Sequence, residues 1–461
     1  MMITWMHHAI KAASFGLQAG LREDILLRRV RKTMASDVFL DKPISWVAKI
    51  INLPTTPPRG YFGQLLLMVI VFEASLLGSG RLLTLGPLTV KMLLYLVSLC
   101  YVASRMISGD RFHASTLIIL LAFATIGIAQ TVLGLVLRND ADVMLQDLRW
   151  LAYFPALLFF DRTIRSLRTL ESISRIIRIA AVVMCIGFAL LLFLVMTGRV
   201  SLATLFELSL KAYGDEVGDF MLGGGGGSSP RVFYKGFLYV GIGAFFWIVR
   251  PGWRSKAVAF LLFCALAATG TRGFVLAAIG CLVLLAISVD RNKVRALIVA
   301  GLLLVATISL ATVYVSFFRS SQNTSESDEA RLITAREVQE RTTPVSVLFG
   351  HGLGSGVPSR PGHMEMTYME IFYKQGLLGL AVWGGTFAFI VRRYLSSKNS
   401  RFEVLATPYF ISVVFIGIQS FANPFINNPI GLSMVFVSLS ALEFLHSTLT
   451  ARERSAAAKA T

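Results

Sequence analysis

Long apolar runs, repeated along most of the chain, set what these residues can fold into. A helix needs about 20 such residues to cross a hydrocarbon core. Backbone groups cannot stay unpaired in lipid. The runs lack the alternation of a membrane barrel, so helices are the spanning element. Hydrophobic residues make up 55% of the 461 and charged residues 15%, a balance far from that of a soluble domain. The expected fold is all-α, a polytopic integral-membrane bundle of about twelve transmembrane helices. They fall at 61–79, 87–103, 114–137, 148–160, 179–197, 232–249, 257–268, 274–289, 296–317, 367–391, 404–421 and 430–446. The fourth and seventh are short.

Charge sets the orientation. Arg162, Arg165, Arg168, Arg175 and Arg178 follow the fourth run, and Arg392, Arg393, Lys398 and Arg401 follow the tenth. Cytosolic loops carry such an excess, which puts both termini in the cytosol. The net charge of +18 then reads as topology and attraction to anionic headgroups. A nucleic-acid partner would need that charge on one soluble face, and it is dispersed. Cys100, Cys185, Cys264 and Cys281 lie inside runs, so they imply packing and no disulfide framework.

Three parts follow: a basic segment at 1–59, the bundle at 60–446 and a tail at 447–461. The first part lacks an apolar core followed by a cleavage signal, so no cleaved signal peptide is expected. The outer loops at 198–231 and 318–366 are large enough to carry function. The first holds five consecutive glycines, Gly223 to Gly227. The second precedes the tenth run and holds Phe349-Gly350-His351-Gly352-Leu353-Gly354-Ser355-Gly356.

Candidate chemistry gathers at the outer ends of the runs. Arg272 sits in a tight turn, Thr269-Gly270-Thr271-Arg272-Gly273, between two apolar runs. A charge there is costly unless it reaches water, a partner or a substrate. It is either a snorkelling anchor or a phosphate-binding fork. Arg231 opens the sixth run from the same side, and Arg149 is a third arginine of this kind. His363 and His351 are candidate general bases, set against loop histidines with no role. Glu365 and Glu370 could orient a base or bind a sugar hydroxyl, or cap the helix that starts beside them. Asp140-Ala141-Asp142 has the three-letter form by which many glycosyltransferases hold a metal, but it is short enough to arise by chance. Glu73 is an intramembrane acid, expected to pair with a basic neighbour. Zinc-site spacing, a Walker A loop and a nucleophile elbow are all lacking.

Three segments in order carry a family resemblance: Thr269-Gly270-Thr271-Arg272-Gly273, Gly350-His351-Gly352-Leu353-Gly354, and Thr367-Tyr368-Met369-Glu370 running into Gly376-Leu377-Leu378-Gly379-Leu380. Across 231–380 the chain resembles the bacterial O-antigen ligase and O-antigen polymerase superfamily, integral-membrane glycosyltransferases of GT-C-like fold. One feature departs from the family: its His-Asn pair, about five residues ahead of the glutamate, falls here on Glu365, and the histidine is His363. The resemblance implies an inner-membrane enzyme, inverting and metal-independent, that needs no cofactor. It would transfer glycan from an undecaprenyl-diphosphate-linked donor on the periplasmic face. Arg272 and Arg231, with Arg149, would hold the diphosphate, and His363 or Glu365 would deprotonate the acceptor hydroxyl. A flippase and a chain-length regulator are the implied partners. Polymerisation of repeat units is the expectation, with ligation to lipid A-core as the alternative. From another class, a transporter is the competing reading.

Overall fold

The computed structural model of the chain describes residues 61–77, 84–85, 88–201, 204, 220–223, 231–269, 271–289 and 322–460. In chain order these form α1 (Tyr61–Phe72), extended by one π-helical turn at Glu73–Leu77, then a hairpin of β1 (Thr84–Leu85) and β2 (Leu88–Thr89). Next come α2 (Val90–Ile107), α3 (Ala114–Val136), α4 (Ala141–Leu151), α5 (Ala156–Thr163) and α6 (Leu167–Met196). A second hairpin pairs β3 (Phe220–Gly223) with β4 (Arg231–Tyr234). The remaining helices are α7 (Leu238–Ile248), α8 (Trp253–Ala268), α9 (Arg272–Val289), α10 (Gln322–Arg341), α11 (Pro344–Phe349), α12 (Thr367–Ser397), α13 (Glu403–Gln419) and α14 (Pro429–Ala460).

Among the described residues six helical stretches are long and apolar enough to cross a membrane: α2, α3, α4 with α5, α6, α12 and the Pro429–Ala451 part of α14. On α3, Ile119, Phe123 and Ile126 are buried while Ile118, Leu121, Ile128 and Leu135 are exposed. Both faces are apolar, as a helix between protein and lipid requires. α14 runs through the interior, with Leu432, Met434, Val435, Phe436, Val437 and Leu439 all buried. Phe436 joins Phe154, Phe123, Trp150 and Trp383 in an aromatic layer, with Phe123 and Phe154 stacked at 3.9 Å between ring centroids. Helices also meet through missing side chains. A Cβ at Gly243 would overlap that of Ala181, so α7 lies directly on α6.

Four expectations change on contact with the structure. The fourth run is two helices: Asp140 starts α4 earlier, and the chain turns at 152–155 before α5, whose N-cap is Pro155. Residues 231–234 are strand, because they pair with β3, and the helix there starts at Leu238. The tenth run continues to Ser397 and is interrupted at Gly376. Helix continues past His446 through most of the expected tail. Residues 1–59, the 296–317 run and most of the glycine stretch, 224–227, lie outside the described residues.

Candidate functional site

The interruption in α12 organises the site. Gly376 has φ +65° and ψ −163°, a backbone state that splits the helix after Gln375. Such a break leaves carbonyls without intrahelical partners. The glycine-rich loop takes them up: His351 N–H donates to the Tyr373 carbonyl at 2.9 Å, and Gly352 N–H to that of Lys374 at 3.0 Å. Only glycine lets the two backbones approach this closely. A Cβ at Gly350 would overlap the Lys374 carbonyl, and one at Gly376 the Leu348 carbonyl. α3 fixes the other side of the loop. Leu353 N–H donates to the Gln130 carbonyl at 3.0 Å, and Gln130 Nε2 to the Phe349 carbonyl at 2.8 Å.

Inside this cradle lies a buried charge network. Lys374 Nζ donates to Asp147 Oδ1 at 2.6 Å, to Glu370 Oε1 at 2.8 Å and to the Gly362 carbonyl at 3.0 Å. The three ionic side chains are 2–4% exposed. Glu370 and Lys374 are one helical turn apart, so α12 presents both to α4. Asp147 Oδ2 accepts from Gly354 N–H at 2.8 Å, and Glu370 Oε2 from Asn427 Nδ2 at 2.8 Å. His363 closes the network from outside. Its Nδ1 is 3.0 Å from Glu370 Oε1 and 3.6 Å from Asp147 Oδ1, on a side chain 47% exposed. Buried charges persist when paired and fully hydrogen-bonded, which these are.

Asp147, His363 and Glu370 offer ligand atoms within 4.8 Å of one another, a spacing a metal could use. The Lys374 ammonium already lies against both carboxylates, so an incoming divalent ion would meet a like charge. The donor set fits a proton-handling network better than a metal site. A carboxylate accepts only, so Nδ1 of His363 carries hydrogen toward Glu370 and Nε2 is left as the basic nitrogen. Among the described residues Nε2 has no protein partner.

The predicted residues fall in different places. His363 and Glu370 are brought together. Glu365 lies in two ion pairs, with Arg331 at 3.3 Å and Arg360 at 3.0 Å, tying α10 to the loop. His351 turns its ring to Tyr373, with centroids 4.4 Å apart. Burial, helped by the charge of Arg341, lowers its pKa, so it stays neutral at pH 7. Arg272 is exposed at the start of α9, and Gly273 beside it lies against Gln419 and Asn423. That segment leads to Asn427, the partner of Glu370. Thr367 Oγ1 also donates to the Asn423 carbonyl at 3.1 Å, so the Arg272 turn is joined to the head of α12. Arg149 is exposed on α4, two residues from the buried Asp147 and so on a different face. The Arg231 backbone is in β4, and its side chain lies outside the described residues.

Asp140 of the short acidic motif caps α4, its Oδ1 accepting from Asp142 and Val143 N–H at 2.9 and 3.0 Å. Asp140→Asn should therefore leave activity and melting temperature in detergent unchanged, since asparagine caps equally well. Asp140→Ala should cost about 1 kcal/mol of stability. A metal-dependent activity lost in the asparagine variant would contradict the capping role.

Sequence reasoning passed over Asp147, Lys374 and Asn427. Lys374 had a signal: an ionisable residue inside an apolar run, four residues after an acid. Asp147 is far from it in sequence and had none. No protein-family model matches the chain, and no curated protein matches it.

Proposed function

We propose that the chain is an integral-membrane glycosyltransferase of about twelve spans and GT-C-like fold, acting on a lipid-diphosphate-linked glycan at the outer face of a bacterial inner membrane, with both termini in the cytosol. Polymerisation of repeat units is the preferred reaction, with ligation to a lipid-anchored acceptor as the variant. The observation that carries the reading is His363: half-exposed, held at Nδ1 by the buried Glu370 and presenting Nε2 outward. A carboxylate that orients an imidazole and stabilises its protonated form makes a general base.

In this reading an acceptor hydroxyl oxygen attacks the anomeric carbon and forms the new C–O bond. The bond from that carbon to the diphosphate oxygen breaks, and its electron pair leaves with the lipid diphosphate. The hydroxyl proton passes to His363 Nε2 and from there to solvent. Arg272 stabilises charge growing on the leaving group. The likeness of the three segments to the ligase and polymerase superfamily supports the same assignment.

The test is sizing of surface glycan from a deletion strain complemented with variants. Arg272→Ala and Arg272→Lys should both lower the rate about a hundredfold, because an ammonium lacks the two-pronged geometry of a guanidinium. His363→Gln should be comparably damaging at equal membrane abundance. Wild-type glycan from Arg272→Lys would remove Arg272 from the site. Loss of long chains with single lipid-linked repeats retained would mark a polymerase. Accumulated lipid-linked polymer would mark a ligase.

The broken α12, with buried Lys374 and Glu370 beside the break, favours one other reading, a transporter, since broken helices commonly build transport sites. Purified protein in liposomes that moved a glycolipid across the bilayer without forming a glycosidic bond would select it.

A further inference from the structure

The basic end of α6 holds a buried arginine that the charge network does not use. From Ile179 to Met196 the helix carries no charge, so Arg178 stands where the apolar stretch begins. An arginine at such a boundary ordinarily stretches its head toward water. Arg178 instead is 9% exposed, with its guanidinium over the Trp247 ring of α7, 4.9 Å from the centroid. The Trp247 indole N–H in turn donates to the Arg178 carbonyl at 3.4 Å. Gly243 of α7, set against Ala181 and the Ile177 carbonyl, keeps the two helices this close.

That packing leaves most of the guanidinium without an acceptor. Of its five N–H groups, the one on Nε donates to the Ser174 carbonyl at 3.2 Å. Among the described residues no protein acceptor meets the two terminal nitrogens. Burial makes the charge costly, Arg250 and Arg175 add like charge beside it, and Glu171 is the acid set against all three. A stacking role accounts for the contact with Trp247 but not for this surplus of cations. Arg250 is placed by the end of α7, where its N–H donates to the Trp247 carbonyl at 3.1 Å, and its side chain is exposed.

The surroundings point to a lipid. Arg175 is exposed, and one turn further along the same face α6 exposes Ile179, Val183, Ile186, Leu190 and Phe193 in a helical stripe. Trp253, which opens α8 just past Arg250, is 75% exposed, an aromatic of the kind that sits at headgroup level.

We propose that α6, α7 and the turn at 249–253 form a binding site for one anionic phospholipid, its phosphate on the terminal nitrogens of Arg178 and its acyl chains along the Ile179–Phe193 stripe. The guanidinium fork matches phosphate oxygens, and the partly buried setting strengthens the pair over an exposed one. Arg175 and Arg250 complete the charge and disfavour a headgroup that carries its own cation. The leaflet follows from the orientation proposed above, in which this end of α6 is cytosolic. The seat itself is independent of the glycosyltransferase reading.

The experiment is native mass spectrometry of the full-length protein in detergent, titrated with phosphatidylglycerol. One lipid should bind about tenfold more tightly than those that follow it, as a charge-assisted contact implies. Phosphatidylcholine and inorganic phosphate should not displace it. Arg178→Gln should weaken this first step about tenfold and Arg250→Gln about fivefold. Arg392→Gln, which removes an exposed arginine near the end of α12, should leave it unchanged. Graded binding with no preferred first lipid would overturn the proposal, as would an equal loss in the Arg392 variant, the mark of diffuse attraction. Displacement by inorganic phosphate would overturn the lipid as occupant. Arg250 is exposed, so its variant decides the matter even where Arg178→Gln fails to accumulate.

Discussion

Replacing Lys374 with methionine is expected to strip most folded protein from the membrane. The side chain is nearly isosteric, so packing changes little, but Asp147 and Glu370 lose the ammonium that bonds to both. Removing one partner from a buried ionic network typically costs about 3–5 kcal/mol, a large share of the stability of an ordinary domain. Detergent-solubilised Lys374→Met should elute as aggregate on size exclusion, or melt well below wild type. The informative companion is the triple variant Lys374→Met, Asp147→Asn, Glu370→Gln. With every charge gone the site no longer buries an unpaired ion, so abundance should return. Activity should not, because His363 then lacks the carboxylate that orients it. Normal abundance and melting of the single variant would show that the network carries little of the fold.

Alanine at Gly350 or Gly376 is expected to be nearly as damaging, for a reason unrelated to charge. Both glycines have positive φ, +75° and +65°. With ψ at −166° and −163° they occupy a region populated essentially by glycine, and another residue there costs about 1–3 kcal/mol. The added Cβ would also overlap backbone carbonyls that cannot rotate away, Lys374 for Gly350 and Leu348 for Gly376. Overpacking adds about 1–3 kcal/mol. Gly384 and Gly385, a few turns further along α12, meet nothing within 4 Å. Alanine there should be neutral or slightly stabilising, since glycine is a poor helix former. Thermal melting of the four variants separates the two pairs. Equal melting across them would mean that the loop and the break do not interlock as described.

The sequence made some of this legible and hid the rest for physical reasons. Apolar length marked the helices, because burial in lipid demands it of any spanning segment. It could not mark the break at Gly376, since a glycine inside an apolar run reads the same whether the helix bends or continues. Nor could it mark the start of the fourth segment, since α4 begins at Ala141 under its Asp140 cap, ahead of the 148–160 run. The glycine-rich loop stood out by composition. Its work, donating N–H groups to the carbonyls of a broken helix, depends on a partner invisible in the loop itself. His363 and Glu370 were nominated by residue type and position, and they meet. Glu365, nominated on the same grounds, instead pairs with Arg331 of α10 and with Arg360 of its own loop. Asp147 was beyond reach, its role being created by partners far along the chain, Gly354, His363 and, 227 residues away, Lys374.

That separation has a consequence for how the protein is made. Ribosomes add roughly 5–20 residues per second, so about 10–45 s pass between synthesis of Asp147 and of Lys374, 227 positions later. Through that interval the acid has no ammonium to receive it. It must wait neutral, or in the watery edge of the membrane, while α6, α7, α8 and α9 are delivered. Maturation of the site is thereby deferred until the head of α12 arrives, and a chain halted before that point is left holding an acid whose seat does not yet exist.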